Sequence, residues 1–343
     1  MLIIAALVFL SKLVTLQLLL STASVGVGAK FAFNEFYPVL LMFIFYSLLG
    51  GAGISQRNFA DFMRLYVYFV VFAGVYNFGM NFDRILSFTS STGLYTYELQ
   101  SFFENRNAYG LVLAFGIIAT FYLKAAKRLK NCTANIIAAF LSVNIFLTLS
   151  RGAIGIILIF AFIYSIQKGF VAFTKFLATM IVLVATLCLV FGTTFLSENL
   201  IRAESGTTHR SAIQSYGLNY FYTGNELFGT GEKIRPLLKD EFNVSSVHNS
   251  YVDMLVTGGW LMIVLYCLLI AAILHTSVRL PHSYRNEKRF FYALFIAYFL
   301  YSLIETAIPF KISPTSAVIT IFIYITPLYI RNGATNFAQH PIR

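Results

Sequence analysis

The chain alternates apolar runs, each near the length that crosses a hydrocarbon core, with short polar breaks and one long one. A spanning helix takes roughly 20 predominantly apolar residues. Runs of that order lie at 2–24, 36–54, 64–82, 107–124, 132–149, 151–167, 174–196, 251–275, 288–308 and 314–331. The pattern predicts an all-α, polytopic integral membrane protein of about ten transmembrane helices, with 1–343 as a single membrane domain. The long break, 197–250, falls between spans seven and eight and gathers much of the titratable chemistry, from Arg202 to His248. Inside it Ile213, Tyr216, Tyr220 and Phe221 recur at helical spacing, with Gln214 and Asn219 between them. This predicts an amphipathic helix lying on or near the outer leaflet. Thr207 or Thr208 would cap it and place Arg210 in its first turn.

Composition agrees with a bilayer protein. The chain is 58% hydrophobic and 11% charged, with mean hydropathy +0.74, whereas soluble domains carry about 25% charged residues. The net charge of +11 does not indicate nucleic acid, because the basic residues sit in short clusters between apolar runs. With ten alternating spans, 14 of the 25 Lys and Arg residues fall on one side, among them Lys124, Lys127, Arg128, Lys130, Arg285 and Arg289. By the positive-inside rule both termini are cytoplasmic and the 197–250 loop is outside. The first run reads as a retained span, with Lys12 within it hard to place. Three cysteines lie far apart, none in the long loop, which speaks against a disulfide framework or a cysteine metal site.

Several polar residues mark the outer boundary. Arg151, in the tight break Leu149-Ser150-Arg151-Gly152, is either a headgroup-snorkelling side chain or an anion ligand. A cation in the first turn of a helix, as Arg210 would be, is unfavourable unless an anion is bound there. His248 stands just before span eight, where an imidazole is either structural or a general base. Asn249 and Asp253, four apart, share a helical face. They orient a substrate hydroxyl or the imidazole, or Asp253 is a buried structural acid. Glu305, late in span nine, either lines a cavity or marks a span limit wrongly set.

Three stretches carry a family resemblance. They are Leu147-Thr148-Leu149-Ser150-Arg151-Gly152-Ala153, Arg210 followed by Leu227-Phe228-Gly229-Thr230-Gly231, and His248-Asn249-Ser250-Tyr251 followed by Gly258-Gly259. Asn105 and Asn107, at the entry to span four, add an Asn-rich feature. With these the chain resembles the O-antigen ligase and Wzy polymerase superfamily, membrane glycosyltransferases acting on undecaprenyl-pyrophosphate-linked glycans. The likeness covers roughly 100–275; the first hundred residues match no motif, and the chain has fewer spans than the family's usual number.

The resemblance implies that Arg151 and Arg210 grip the pyrophosphate and that His248 takes part in catalysis, with Asn249, Asp253, Asn105, Asn107 and Glu305 as candidate substrate-binding or supporting residues. It implies a bacterial inner-membrane enzyme whose partners are a lipid-linked glycan donor, a glycan acceptor, the bilayer, a chain-length regulator and a flippase. Guanidinium groups fork onto phosphate oxygens and keep their charge. A positioned base is worth about 10²–10⁴-fold in rate. Such chemistry asks for no metal and no cofactor. The chain has no Asp-x-Asp motif, and its first outer loop holds Glu35 but no Asp, against transferases with a catalytic Asp there. Polymerisation of repeat units is the preferred reading for a chain this small; transfer to lipid A–core is the alternative, and a lipid-linked oligosaccharide flippase or transporter is the non-enzyme alternative.

Overall fold

A computed structural model describes residues 56–86, 99–103, 106–191, 208–244, 246–278, 284–306, 319 and 322–323. The runs 2–24 and 36–54, most of 314–331, and Lys12, Asn105 and Thr207 lie outside them. Among the described residues the elements are all helical. They are α1 (Gln56–Met80), α2 (Phe82–Leu86), α3 (Arg106–Ala125), α4 (Asn131–Thr148), α5 (Arg151–Lys168), α6 (Phe170–Phe191), α7 (Thr208–Tyr222), α8 (Ile234–Phe242), α9 (Ser250–Val278) and α10 (Arg285–Tyr301). A 3-10 turn, Gly231–Lys233, precedes α8. Six helices, α1, α3, α4, α5, α6 and α9, are long and apolar enough to cross a membrane. They correspond to spans three to eight of the sequence pattern.

The chain divides into two compact units: Gln56–Gly206 with Ser283–Tyr301, and Met1–Ser55 with Thr207–His282 and Ser302–Arg343. In the first, α3 is the buried axis: Leu111, Leu113, Phe115, Ile118 and Leu123 are inaccessible, and α1, α4 and α5 pack around it. Where lipid is as apolar as leucine, close packing and internal hydrogen bonds hold helices together. A Cβ on Gly110 would stand 2.8 Å from Ser150 Cβ, and one on Gly116 2.7 Å from Val70 Cγ1, so small residues set both crossings. Polar groups tie the same helices. Asn144 Oδ1 accepts from Tyr109 Oη (2.9 Å) and Asn77 Nδ2 (3.3 Å), linking α1, α3 and α4. All three side chains are fully buried, so each would be costly unpaired.

In the second unit the described part of the long polar break, 208–244 and 246–250, is folded. Ile213 and Phe221 of α7 pack with Ile234 and Leu238 of α8, Val247, and Val256 of α9 in a small apolar core. The expected helix is present, and its apolar residues Ile213 and Phe221 are fully buried against protein.

The helix α9 is broken. Gly259 has φ 69° and ψ −172°, nine residues past Ser250, or roughly 14 Å along a helix. The turn Glu226–Thr230 fits into the break. Trp260 N donates to Glu226 O (2.9 Å), Leu261 N to Leu227 O (3.1 Å), and Thr230 N to Val256 O (2.8 Å). Backbone groups freed by the break thus find partners within the protein, one of the conditions under which non-helical backbone is tolerated in a membrane protein. The two glycine motifs are explained together. A Cβ on Gly229 would come 2.6 Å from the amide nitrogens of Gly258 and Gly259, and one on Gly259 would strike Leu227 O and C.

The run 288–308 requires a correction. Its helix, α10, stops at Tyr301, and Glu305 lies beyond the helix rather than late within it. The carbonyls that follow are taken from elsewhere: Ser302 O by Ser250 N, Ile304 O by Arg210, and Glu305 O by Ser250 Oγ.

The fitted turn makes a stability prediction. Gly229 also has φ 73°, where an L-residue costs about 1–2 kcal/mol, and overpacking against rigid backbone adds about 1–3 kcal/mol. Gly229→Ala therefore lowers the melting temperature of the detergent-purified protein by several degrees. Gly155→Ala, where an added Cβ meets nothing within 4 Å, leaves it unchanged or higher. Equal melting temperatures for the two variants would refute the backbone fit.

Candidate active site

Each unit contributes a polar cluster built where a helix starts. In the first, Leu149 closes α4 in the left-handed conformation (φ 50°), and Ser150 caps α5, its Oγ accepting from Ala153 N at 3.4 Å. The same Oγ donates to Asn107 Oδ1 at 3.1 Å. Asn107, singled out at the entry to span four, thus supports the turn that carries Arg151. Arg151 is the first residue of α5 and half-buried. A guanidinium there opposes the helix dipole, and a bound anion reverses the sign of that interaction.

In the second unit the carboxylate of Glu305 gathers two of the sequence-derived candidates. Its Oε1 lies 2.7 Å from Arg210 Nη2 and its Oε2 3.5 Å from His248 Nδ1. Arg210, in the first turn of α7, also donates through Nη1 to Ile304 O at 2.6 Å. Its side chain is 31% exposed and that of His248 26%, against 12% for Glu305, so the acid is the buried member and the two bases face outward. Among the described residues Arg210 spends two of its five N–H donors, leaving three for a ligand. Burial by itself would raise the Glu305 carboxyl; the hydrogen bond with His248 and the charge of Arg210 outweigh it and hold the group below its ordinary range.

His248 is held by unusual backbone. Its φ of 52° is left-handed, a region uncommon for residues other than glycine but entered more readily by His, Asn and Asp. Asn249 follows as the cap of α9, its Oδ1 accepting from Tyr251 N (3.0 Å) and Val252 N (3.2 Å). Asp253 is buried and takes both forks of Arg235, at 2.6 and 2.7 Å. These contacts fasten α8 to the start of α9. Asn249 and Asp253 are thus set in the frame around His248, the first bonded to backbone and the second to Arg235.

Two partners escaped the sequence reading. Arg235 carried no motif, and nothing in the pattern paired it with Asp253. Glu305 was seen, but not as the acid shared by Arg210 and His248. The available signal was a carboxylate inside an apolar run, which needs a cationic partner. Among the described residues no group of three or more His, Cys, Asp or Glu side chains is placed to hold a metal ion.

The fold and these clusters define an α-helical membrane protein with arginines and a histidine at the starts of its helices. Residues 136–267 match the O-antigen ligase family model, Wzy_C. The match, over somewhat more than a third of the chain, contains the Ser150-Arg151, Arg210, Leu227–Gly231 and His248-Asn249 stretches, and it confirms the superfamily resemblance that they carry. No curated protein and no solved structure matches the chain.

The ion pair predicts a pH response with a definite sign. Because the folded Glu305 carboxyl is lowered from 4.5, its contribution to stability is present above that value and is lost as the pH falls through the folded value. The difference in melting temperature between the wild type and Glu305→Gln, open at neutral pH, narrows as the pH is taken downward from 4.5. Parallel melting curves across that range would contradict the pairing.

Proposed function

We propose that the protein is a metal-independent glycosyltransferase that polymerises undecaprenyl-pyrophosphate-linked repeat units into O-antigen, capsule or exopolysaccharide. In this reading the chain is one membrane domain of ten spans in the bacterial inner membrane, both termini are cytoplasmic, and 197–250 is the catalytic segment on the outer face. The observation that carries it is the meeting of Arg210 and His248, both inside the matched family stretch, on the carboxylate of Glu305, which lies beyond it.

Arg210 and Arg151 bind the pyrophosphate, the latter assignment resting on the Ser-Arg-Gly motif. Charge grows on the leaving pyrophosphate as the anomeric bond breaks, and pre-placed guanidiniums strengthen their hold as it grows. His248 accepts the proton of the acceptor hydroxyl while its oxygen bonds to C1. The C1–O bond to pyrophosphate breaks, its electron pair stays on the pyrophosphate oxygen, and undecaprenyl pyrophosphate leaves. A single displacement of this kind inverts the configuration at C1.

A second reading, transfer of the glycan to lipid A–core, is favoured by the name of the matched family, O-antigen ligase. One assay separates them: purified protein in detergent, lipid-linked repeat units, and neither nucleotide sugar nor ATP. Ladders of longer glycan are the expected product. Product only on addition of lipid A–core would make the enzyme a ligase, and no product under either condition would favour a transporter. His248→Asn, which keeps the left-handed backbone, lowers kcat by about 10²–10⁴-fold. Arg151→Ala and Arg210→Ala abolish product at normal membrane levels of protein. Loss of the protein itself would assign these residues to folding instead.

A further inference from the structure

We propose that Glu305 is the positioning residue of this site, its two carboxylate oxygens divided between the guanidinium that binds pyrophosphate and the imidazole that takes the proton. The inference rests on the reading above, in which His248 is the base and Arg210 a phosphate ligand.

The geometry assigns each oxygen one task. Oε1 holds Arg210 Nη2 at 2.7 Å, and Oε2 faces His248 Nδ1 at 3.5 Å, a contact at the long end of hydrogen bonding. Such contacts tighten when substrate closes the site. An ionised carboxylate only accepts hydrogen bonds, so Nδ1 carries the hydrogen and Nε2 keeps its lone pair. That is the tautomer a base requires. When Nε2 takes the hydroxyl proton, the imidazolium forms beside a charge already in place, and no proton passes to Glu305. Arg210 is anchored without being used up, because among the described residues two of its five donors are engaged and three remain for phosphate oxygens.

The acid is itself fixed against the residues that follow the base. Ser250 N donates to Ser302 O at 2.8 Å, and Ser250 Oγ to Glu305 O at 2.9 Å. These bonds pin the segment carrying Glu305 two residues from His248. Glu305 is placed to act through His248 and Arg210, and it is 12% exposed against their larger exposures.

The test is a double-mutant cycle on the detergent-purified full chain with lipid-linked repeat units. In Glu305→Gln the amide oxygen stays with Arg210, so its NH2 faces Nδ1. That nitrogen must then accept, the hydrogen moves to Nε2, and the base is lost. The expected result is a kcat lower by about 10²–10⁴-fold, with the donor KM changed within about twofold and the melting temperature at neutral pH still that of a folded protein. Glu305→Asp keeps the charge and recovers part of the rate. In a His248→Asn background, Glu305→Gln adds no further loss beyond about twofold, as coupled residues require. Wild-type kcat in Glu305→Gln alongside an inactive His248→Asn overturns the inference and leaves the functional reading intact. A Glu305→Gln loss of the same size in both backgrounds also overturns it. Full activity in His248→Asn sinks the underlying reading and the inference with it. If Glu305→Gln does not fold, the same cycle run with Glu305→Asp decides: its partial loss must vanish in the His248→Asn background, and a loss that persists there overturns the proposal.

Discussion

In a chain this apolar, the governing constraint is that backbone groups released wherever a helix stops must find partners in the protein, since hydrocarbon supplies none. Three such places organise what the structure describes. The break at Gly259 is filled by the carbonyls of Glu226 and Leu227. The carbonyls beyond Tyr301 are taken by Ser250 and Arg210. The turn between α4 and α5 is closed by Ser150, which Asn107 steadies from α3.

The candidate chemistry grows out of these repairs. Arg210 and Ser250 donate to carbonyls of Ser302, Ile304 and Glu305, and the carboxylate of Glu305 lies between Arg210 and His248. Asn249 ends the left-handed excursion of His248 by capping α9. The Arg235–Asp253 pair secures the same helix from the side of α8. Removing one partner of such a buried pair costs about 3–5 kcal/mol. Contacts within the protein therefore set the imidazole's place.

Much of this was legible in the amino-acid pattern because hydrocarbon length and charge bias are strong, local signals. Spans three to eight coincide with helices, and the helical spacing around Ile213 marks α7. What could not be read depends on contacts distant along the chain. The apolar run through 288–308 does not show where its helix stops, and the carbonyls of Ser302, Ile304 and Glu305 are met by groups distant along the chain. Ile213 and Phe221 look the same in sequence whether they face lipid or Val256. Gly229 and Gly259 each read as a weak turn signal, and their meaning as a matched pair exists only in three dimensions. Arg210 and His248 stood out as isolated ionisable residues beside a membrane run; the acid that joins them was present in the pattern without a partner assigned to it.

The helix α6 has a different status from its neighbours. None of its most apolar window is buried, and it meets α5 through Phe173 and Phe176 against Phe162, at 5.7 and 6.2 Å between ring centres. Between two helices in oil, that is weak affinity. The two are joined by the single residue Gly169, and so short a tether gives an effective concentration high enough to make a feeble association permanent. Cutting the chain at Gly169 would leave the pairing of α6 with α5 to these ring contacts and to the chain that runs on from Phe191 toward α7.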